Sequence, residues 1–211
     1  MERGSLQLRR PRMARRLLAL TLSLLVIGIC VGVFKVVGFG TDPCPTFSFG
    51  ISNLTGVSFG TCQMLFNVVL LIPILRCDLS RIGIGTIANM VGVGYTADLC
   101  IAVIRALTPP EGLSLPVRLV MLAVSLAAFL TAVAFYMVVD LGVVPYDAVP
   151  QLIAARAKRF SYRQVRIFWD VAALSIGWLC GAAVGVTTLV TGFCLGPAIV
   201  AVSDRVRGWF E

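Results

Sequence analysis

The sequence predicts an all-α polytopic membrane protein with six transmembrane helices, arranged as two inverted three-helix repeats that each contain a short broken or re-entrant helix. Three observations predict this fold class: an apolar composition, apolar runs of membrane-spanning length, and similarity between the two halves. Of 211 residues, 58% are apolar and 13% are charged, with a mean hydropathy of +0.94. Soluble domains contain about 45–50% apolar and about 25% charged residues. The expected partner of most of the surface is therefore the lipid bilayer.

Six apolar stretches are long enough to cross a hydrocarbon core of about 30 Å, which takes about 20 helical residues. They are residues 17–38, 57–75, 82–104, 119–139, 167–184 and 185–202. The last two form one apolar run of 36 residues. Because this run is too long for one crossing, we expect a tight turn near residues 181–185. Continuous apolar runs favour helices over barrel strands, in which polar and apolar residues alternate.

The basic residues flank the predicted spans. With the N-terminus inside, six spans place fifteen of the eighteen Lys and Arg residues in the cytoplasm, as the positive-inside rule requires. We therefore expect both termini to be cytoplasmic and no nucleic-acid partner. A signal peptide is excluded because no small-residue cleavage site follows the first apolar stretch. The predicted segments are a basic cytoplasmic tail (1–16), a first membrane repeat (17–106), an external linker (107–118), a second membrane repeat (119–202) and a cytoplasmic tail (203–211).

The two halves share a weak similarity in the same order along the chain. Three spans per half is an odd number, so the second half is inverted relative to the first. Transporters often have this architecture, with the substrate site where the halves meet. The matched positions include Gly40-Thr-Asp-Pro43 with Gly142-Val-Val-Pro145, Asn67 with Asp170, Thr86 with Thr188, and Gly94 with Gly196.

Each G-x-x-P motif precedes a short segment, residues 43–56 and 145–156. Proline favours the first position of a helix, and Gly56 is a candidate C-terminal cap. An eight-span topology would make both segments cross, but they are too short to cross as helices. If they re-enter the membrane, their N-termini present unpaired N–H groups to a polar or anionic solute. A helix lying flat at the interface is the alternative, and both interpretations remain open.

Polar residues within the spans are candidates for a solute site. Arg166 and Asp170 lie four residues apart on one helical face and can pair, although such a pair can also simply anchor a helix near the interface. Asp98 is a candidate proton or ion relay, with a carboxylate reaching the surface as the alternative. The candidate solute-binding residues are Gly40, Pro43, Asn67, Gly142, Pro145, Asp147, Arg166 and Asp170.

Other chemistry is not expected. The chain has no histidine, and its seven cysteines form no C-x-x-C motif. We therefore expect no metal site and no cofactor. No nucleophile lies beside a base, so we do not expect an enzyme.

Several motifs resemble those of the bacterial YczE/YitT-type integral membrane proteins. They are Gly40-Thr-Asp-Pro43, Ser52 through Gly60, Gly83-Ile-Gly-Thr86, Leu141 through Asp147, Val165 through Asp170, and Gly185 through Pro197. The resemblance covers about residues 17–202, with departures at Cys44 and Thr187. It implies a multi-pass protein of the bacterial cytoplasmic (inner) membrane, in a family whose activity is poorly defined.

Two functions follow from these observations. The first is a transporter or permease for a small polar or anionic solute, bound between the two broken segments. The second is a non-transporting scaffold or regulatory partner that binds another membrane protein through its glycine-rich helix faces. A homo-oligomer is compatible with either function.

Overall fold

The computed structural model describes residues 3–109, 112–157 and 159–192, with side chains from Met13 onward except at Ser80. This part of the chain is helical and contains no β-strand, which confirms the all-α class. A 3₁₀ turn covers Leu79–Arg81, and residues 186–192 are also helical. The α-helices are α1 (Arg3–Val37), α2 (Pro43–Thr55), α3 (Phe59–Cys77), α4 (Ile84–Leu107), α5 (Leu115–Val139), α6 (Pro145–Arg156) and α7 (Tyr162–Leu179).

Four helices are long and apolar enough to cross a membrane, namely residues Met13–Val37 of α1 together with α3, α4 and α5. They correspond to the first four predicted spans. α7 covers most of the fifth, but it carries three charged residues, Arg163, Arg166 and Asp170. The sixth predicted span is helical over residues 186–192, and its remainder lies outside the described residues together with Gly196 and the C-terminal tail. The six-span count therefore stays a prediction.

The outward faces of the long helices are apolar. Leu18 on α1, Val69 on α3, Leu99 on α4 and Val124 on α5 are all more than half exposed. Such a surface is unfavourable in water and is suited to a lipid bilayer. The protein is therefore of the membrane type.

The predicted turn between the last two apolar stretches is present. α7 ends at Leu179, and Gly181 adopts φ +84°, a left-handed conformation that glycine adopts without steric cost. The chain is then non-helical until residue 186. At its other end α7 starts with a capping box, in which Ser161 and Gln164 bind each other's backbone N–H groups.

The two short helices begin where the G-x-x-P motifs predict. α2 starts at Pro43 and α6 at Pro145, where the missing N–H costs no hydrogen bond. Gly56 ends α2 with φ +73°, and its N–H donates to the Ser52 carbonyl at 2.9 Å. In both helices the N-terminal half is buried in the protein.

α1 packs against α4 and α5. A Cβ atom on Gly28 would lie 2.7 Å from Thr96 Cβ, and one on Gly32 would lie 2.8 Å from Cys100 Cβ. These two glycines therefore let α1 and α4 approach closely, in the helix-packing role that their spacing indicates. The aromatic rings of Phe34 and Phe129 join α1 to α5 at a centroid distance of 5.5 Å.

The first break contacts the start of the last helical stretch. A Cβ atom on Gly40 would lie 2.5 Å from Thr188 Oγ1 and 2.6 Å from Gly185 N. The Thr188 hydroxyl donates to the Thr41 carbonyl at 2.8 Å, and the Thr187 N–H donates to the Phe39 carbonyl at 3.0 Å. Backbone and hydroxyl groups therefore join the first break to the second half of the chain.

The second break makes the equivalent contacts with the first half. A Cβ atom on Gly142 would lie 2.5 Å from Thr86 Oγ1 and 2.8 Å from Gly83 N. The Thr86 hydroxyl donates to the Val143 carbonyl at 2.9 Å, and the Gly85 N–H donates to the Leu141 carbonyl at 2.8 Å. The equivalent positions, each 102 residues apart, are 39 and 141, 40 and 142, 41 and 143, 83 and 185, 85 and 187, and 86 and 188.

Replacing either break glycine with alanine is expected to lower the free energy of unfolding by about 1–3 kcal/mol. Gly40 and Gly142 have φ +94° and +130°, and an added Cβ atom at either position meets a threonine hydroxyl. Denaturant unfolding in detergent measures the loss. The control is Gly92→Ala within α4, where a Cβ atom meets nothing within 4 Å and alanine favours the helix. Equal stability of Gly142→Ala and Gly92→Ala would contradict this account of the contacts.

Candidate functional site

A cavity of about 530 Å³ lies between the two halves. Both short helices begin at it, since Asp42 and Pro43 at the start of α2 and Tyr146 and Asp147 at the start of α6 line its wall. Side chains of α1, α3, α4, α5 and α7 complete the lining. The volume is within the range of small-molecule sites, about 300–1,000 Å³.

A guanidinium group binds two carboxylates on one side of the cavity. Arg166 Nη1 donates to Asp147 Oδ1 at 2.5 Å, and Arg166 Nε donates to Asp170 Oδ2 at 2.9 Å. The Tyr146 hydroxyl donates to Asp170 Oδ1 at 2.7 Å. Each side chain of the ion pairs remains about one quarter exposed. This network joins α6 to α7 and leaves its polar groups accessible from the cavity.

The local sequence explains how the network forms. Arg166 and Asp170 are one helical turn apart on α7, so they share a face and pair as the spacing predicts. Asp147 lies in the first turn of α6, where the positive end of the helix favours a carboxylate. The guanidinium plane then binds one carboxylate through each of two nitrogens, a geometry that lysine cannot supply.

Asp42, like Asp140, is a further carboxylate in the cavity lining. It occupies the N-cap position of α2, but its side chain does not cap the helix. It forms no ion pair with any described residue, and Thr191, which lines the same cavity, donates its hydroxyl to the Thr188 carbonyl at 3.3 Å. Burial raises the pKa of Asp42 to about 7, although the Arg166 charge acts in the opposite direction. This carboxyl group therefore changes its charge near neutral pH.

Two amide side chains occupy the corresponding place in the first half. Gln63 and Asn67 on α3 are 4% and 0% exposed. Gln63 lines the cavity, and the oxygens Gln63 Oε1 and Asn67 Oδ1 have no hydrogen-bond partner. A buried acceptor without a donor is unfavourable.

The structure brings most of the predicted site residues to this cavity. Pro43, Gly142, Asp147, Arg166 and Asp170 line it directly. The Asn67 amide nitrogen donates to the Gln63 backbone at 2.9 Å, which places Asn67 just behind the wall. Gly40 and Pro145 do not line it; they belong to the breaks that direct α2 and α6 toward it.

Asp98, the candidate relay residue, lies elsewhere. Its Oδ2 atom accepts a hydrogen bond from the Gly60 N–H at 2.8 Å, at the start of α3. It is not among the residues that line the cavity. The contact gives Asp98 a place in α3–α4 packing, because it satisfies one of the free N–H groups of a helix N-terminus.

Sequence reasoning missed Asp42, Gln63 and Tyr146. Asp42 could have been predicted, because it directly precedes Pro43 and is therefore the N-cap residue at the N-terminus of α2. The indication for Gln63 was weaker: it occupies the position in the first repeat that corresponds to Arg166 in the second. The described residues contain no cluster of His, Cys, Asp or Glu arranged to hold a metal ion.

Comparison with known proteins places the chain in a family. Residues 14–204 match the family of unknown function DUF6198, so the chain belongs to that family. An uncharacterized protein of Haemophilus influenzae is 25% identical over 182 residues, which covers 85% of this chain and 79% of the relative. No solved structure matches. None of these matches tests the YczE/YitT resemblance, which stays a prediction.

Replacing Arg166 with glutamine is expected to lower the free energy of unfolding by about 1–3 kcal/mol, because two partly buried carboxylates lose their only ion-pair partner among the described residues. Adding Asp147→Asn and Asp170→Asn should restore part of the loss, since the repulsion is then removed. Denaturant unfolding in detergent compares the variants. Arg163→Gln on the exposed side of α7 is the control and should change little. A triple variant less stable than Arg166→Gln would contradict the charge-balance explanation.

Asp42 is expected to make stability depend on pH. Its pKa of about 7 in the native protein exceeds the ordinary value of 3.8, so the native state holds this proton more tightly than the unfolded chain. The stabilisation is complete below about pH 4 and disappears as pH rises through about 7. The advantage of wild type over Asp42→Asn should therefore decrease between pH 5 and pH 8. A constant difference in thermal unfolding between the two proteins would contradict the raised pKa.

Proposed function

We propose that this member of the DUF6198 family is a membrane carrier that moves a small polar solute through the cavity between its halves. The observation that carries the proposal is that both broken helices begin at the same cavity. Non-helical backbone at membrane depth is tolerated where protein buries it or where it lines a water-filled cavity. The buried starts of α2 and α6 meet this condition, which favours re-entrant helices over helices lying flat at the interface.

The contacts between the halves support a two-fold arrangement. Position 40 meets 185 and 188, and position 142 meets 83 and 86, so the contact made by one half is repeated by the other with the roles exchanged. Such reciprocity is typical of two units related by a two-fold axis. In the proposed topology the axis lies in the membrane plane and relates inverted repeats, and both termini are in the cytoplasm of a bacterial cell.

Two equivalent breaks suit alternating access. Each break is held to the opposite half by one threonine hydroxyl and by backbone hydrogen bonds, one at the first break and two at the second, where the Val143 N–H also donates to the Arg81 carbonyl at 3.1 Å. These are few and local contacts, so either one can open while the other stays closed. Rocking of one unit against the other around a fixed site is the usual motion of carriers with inverted repeats.

The charges select among solutes. Four carboxylates and one guanidinium group line the cavity, and Gln63 adds an unpaired acceptor. This arrangement favours a solute with hydrogen-bond donors over a purely anionic one. Of the two solute types expected from the sequence, the polar one is therefore retained in the proposal.

The scaffold alternative requires glycine-rich helix faces that are free to bind another protein. In the described residues, these glycines instead pack against other helices of the same chain. Gly28 and Gly32 face α4. Gly50 and Gly177 let α2 and α7 approach closely, since a Cβ atom on Gly50 would lie 2.6 Å from the Gly177 carbonyl oxygen. Such packing leaves these faces unavailable to another protein. The carrier is therefore the better-supported function.

Cysteine labelling tests the carrier directly. In a cysteine-free variant, Val133→Cys places a thiol in the cavity wall, and Val124→Cys places one on the lipid-facing side of the same helix. A membrane-impermeant trimethylammonium methanethiosulfonate reagent is added to right-side-out and inside-out vesicles. We expect labelling of Val133→Cys from both sides and no labelling of Val124→Cys. Labelling of Val133→Cys from one side only indicates a static cavity and would refute the carrier.

A further inference from the structure

The cavity contains more negative than positive groups. Arg166 forms ion pairs with both Asp147 and Asp170, and Asp42 has no cationic partner among the described residues. Asp140 also lines the cavity, so with all five groups ionised four negative charges face one positive charge. A carboxylate in such surroundings is stabilised by a proton or by a cation that enters from outside.

The surroundings of Asp42 supply no second cation from the described part of the chain. α7 provides Tyr162, Arg166 and Asp170, and α6 provides Tyr146 and Asp147. α2 provides Cys44 and α5 provides Tyr136, and Asp140 directly follows α5. The cavity-lining residues of α1, α3, α4 and the helical stretch 186–192 are uncharged. Apart from Arg166, the titratable groups facing Asp42 therefore carry negative or no charge.

A second observation indicates a ligand that donates hydrogen bonds. Gln63 is 4% exposed, lines the cavity, and its Oε1 atom accepts no hydrogen bond. This oxygen is enclosed by protein, so rotation of the Gln63 amide is what presents it to an N–H group of a ligand in the cavity. The positive charge of the same group satisfies a carboxylate. Protonated amines and amidines combine both properties.

We infer that the solute carries a protonated amine or amidine group, which binds between the Asp42 carboxylate and Gln63 Oε1 and displaces a proton from Asp42. The inference rests on the proposed carrier function. One proton leaves the Asp42 carboxyl group when the cation binds, and one proton returns when the cation leaves. The carrier thereby exchanges one cation for one proton, and the charge within the cavity is the same in both states.

The chemistry of Asp42 suits this exchange. Its pKa of about 7 lets the carboxyl group release and take up a proton at the pH of the cytoplasm. Asp147 and Asp170 are less suited because Arg166 already neutralises them at 2.5 and 2.9 Å. The position equivalent to Asp42 in the second repeat is Val144, so only one half provides the exchange group.

Infrared spectroscopy of the purified protein in detergent tests the inference. The C=O stretch of a protonated carboxyl group is followed as a function of pH in wild type, Asp42→Asn and, as a control outside the cavity, Asp98→Asn. Asn resembles the protonated aspartate in shape and charge, so Asp42→Asn is expected to fold. We expect a band that disappears near pH 7 in wild type and in Asp98→Asn and that is absent in Asp42→Asn. The same band in Asp42→Asn would overturn the assignment.

The titration is then repeated with methylammonium chloride and with guanidinium chloride at millimolar concentration, against sodium chloride at equal ionic strength. At ten times its dissociation constant, a competing cation lowers the midpoint by about one pH unit. A shift with either organic cation and none with sodium supports the solute class. No shift with either organic cation, or an equal shift with sodium, overturns it.

The outcomes separate the two proposals. Asp42 titrates in detergent whether or not the protein transports. Two-sided labelling of Val133→Cys requires alternating access, but it does not depend on the titration of Asp42. A cation-dependent midpoint with one-sided labelling leaves a cation-binding protein that is no carrier. Two-sided labelling with no effect on the Asp42 midpoint leaves a carrier with a different solute.

Discussion

The close approach of each chain break to the opposite half is the constraint on which the rest of the structure depends. Gly40 and Gly142 bring backbone within van der Waals contact of a glycine and a threonine in the other half, and a hydroxyl-to-carbonyl hydrogen bond fixes each contact. No side chain fits there. Because α2 and α6 start three residues after these glycines, the contacts also determine where both helix N-termini lie.

Similar backbone architecture carries different chemistry in the two halves. The second half contributes a charged network around Arg166, whereas the first contributes the neutral amides Gln63 and Asn67 at the equivalent positions. A buried charge needs a charged partner, whereas a neutral amide needs only hydrogen bonds. The first half instead adds a single carboxylate, Asp42, at the break itself. The cavity therefore has two unequal walls.

The distinction between local and long-range information explains which interpretations of the sequence were correct. The starts of α2 and α6, the glycine at the end of α2 and the turn after α7 follow from proline and glycine conformations, which act within a few residues. The Arg166–Asp170 pair follows from helical spacing. The roles of Asp98 and Asp42 could not be predicted in this way. A carboxylate near a helix end either contributes to packing or lines a cavity, depending on which distant segment of the chain covers it.

By itself, the sequence determined an apolar, all-helical membrane protein, the positions of its two breaks and the pairing within α7, since composition and short-range geometry suffice for these. The tertiary structure alone decided that Asp42, Gln63 and Tyr146 join Asp147, Arg166 and Asp170 around one cavity. These residues come from helices far apart in the chain. Their convergence depends on the mutual packing of the two halves, which no local pattern specifies.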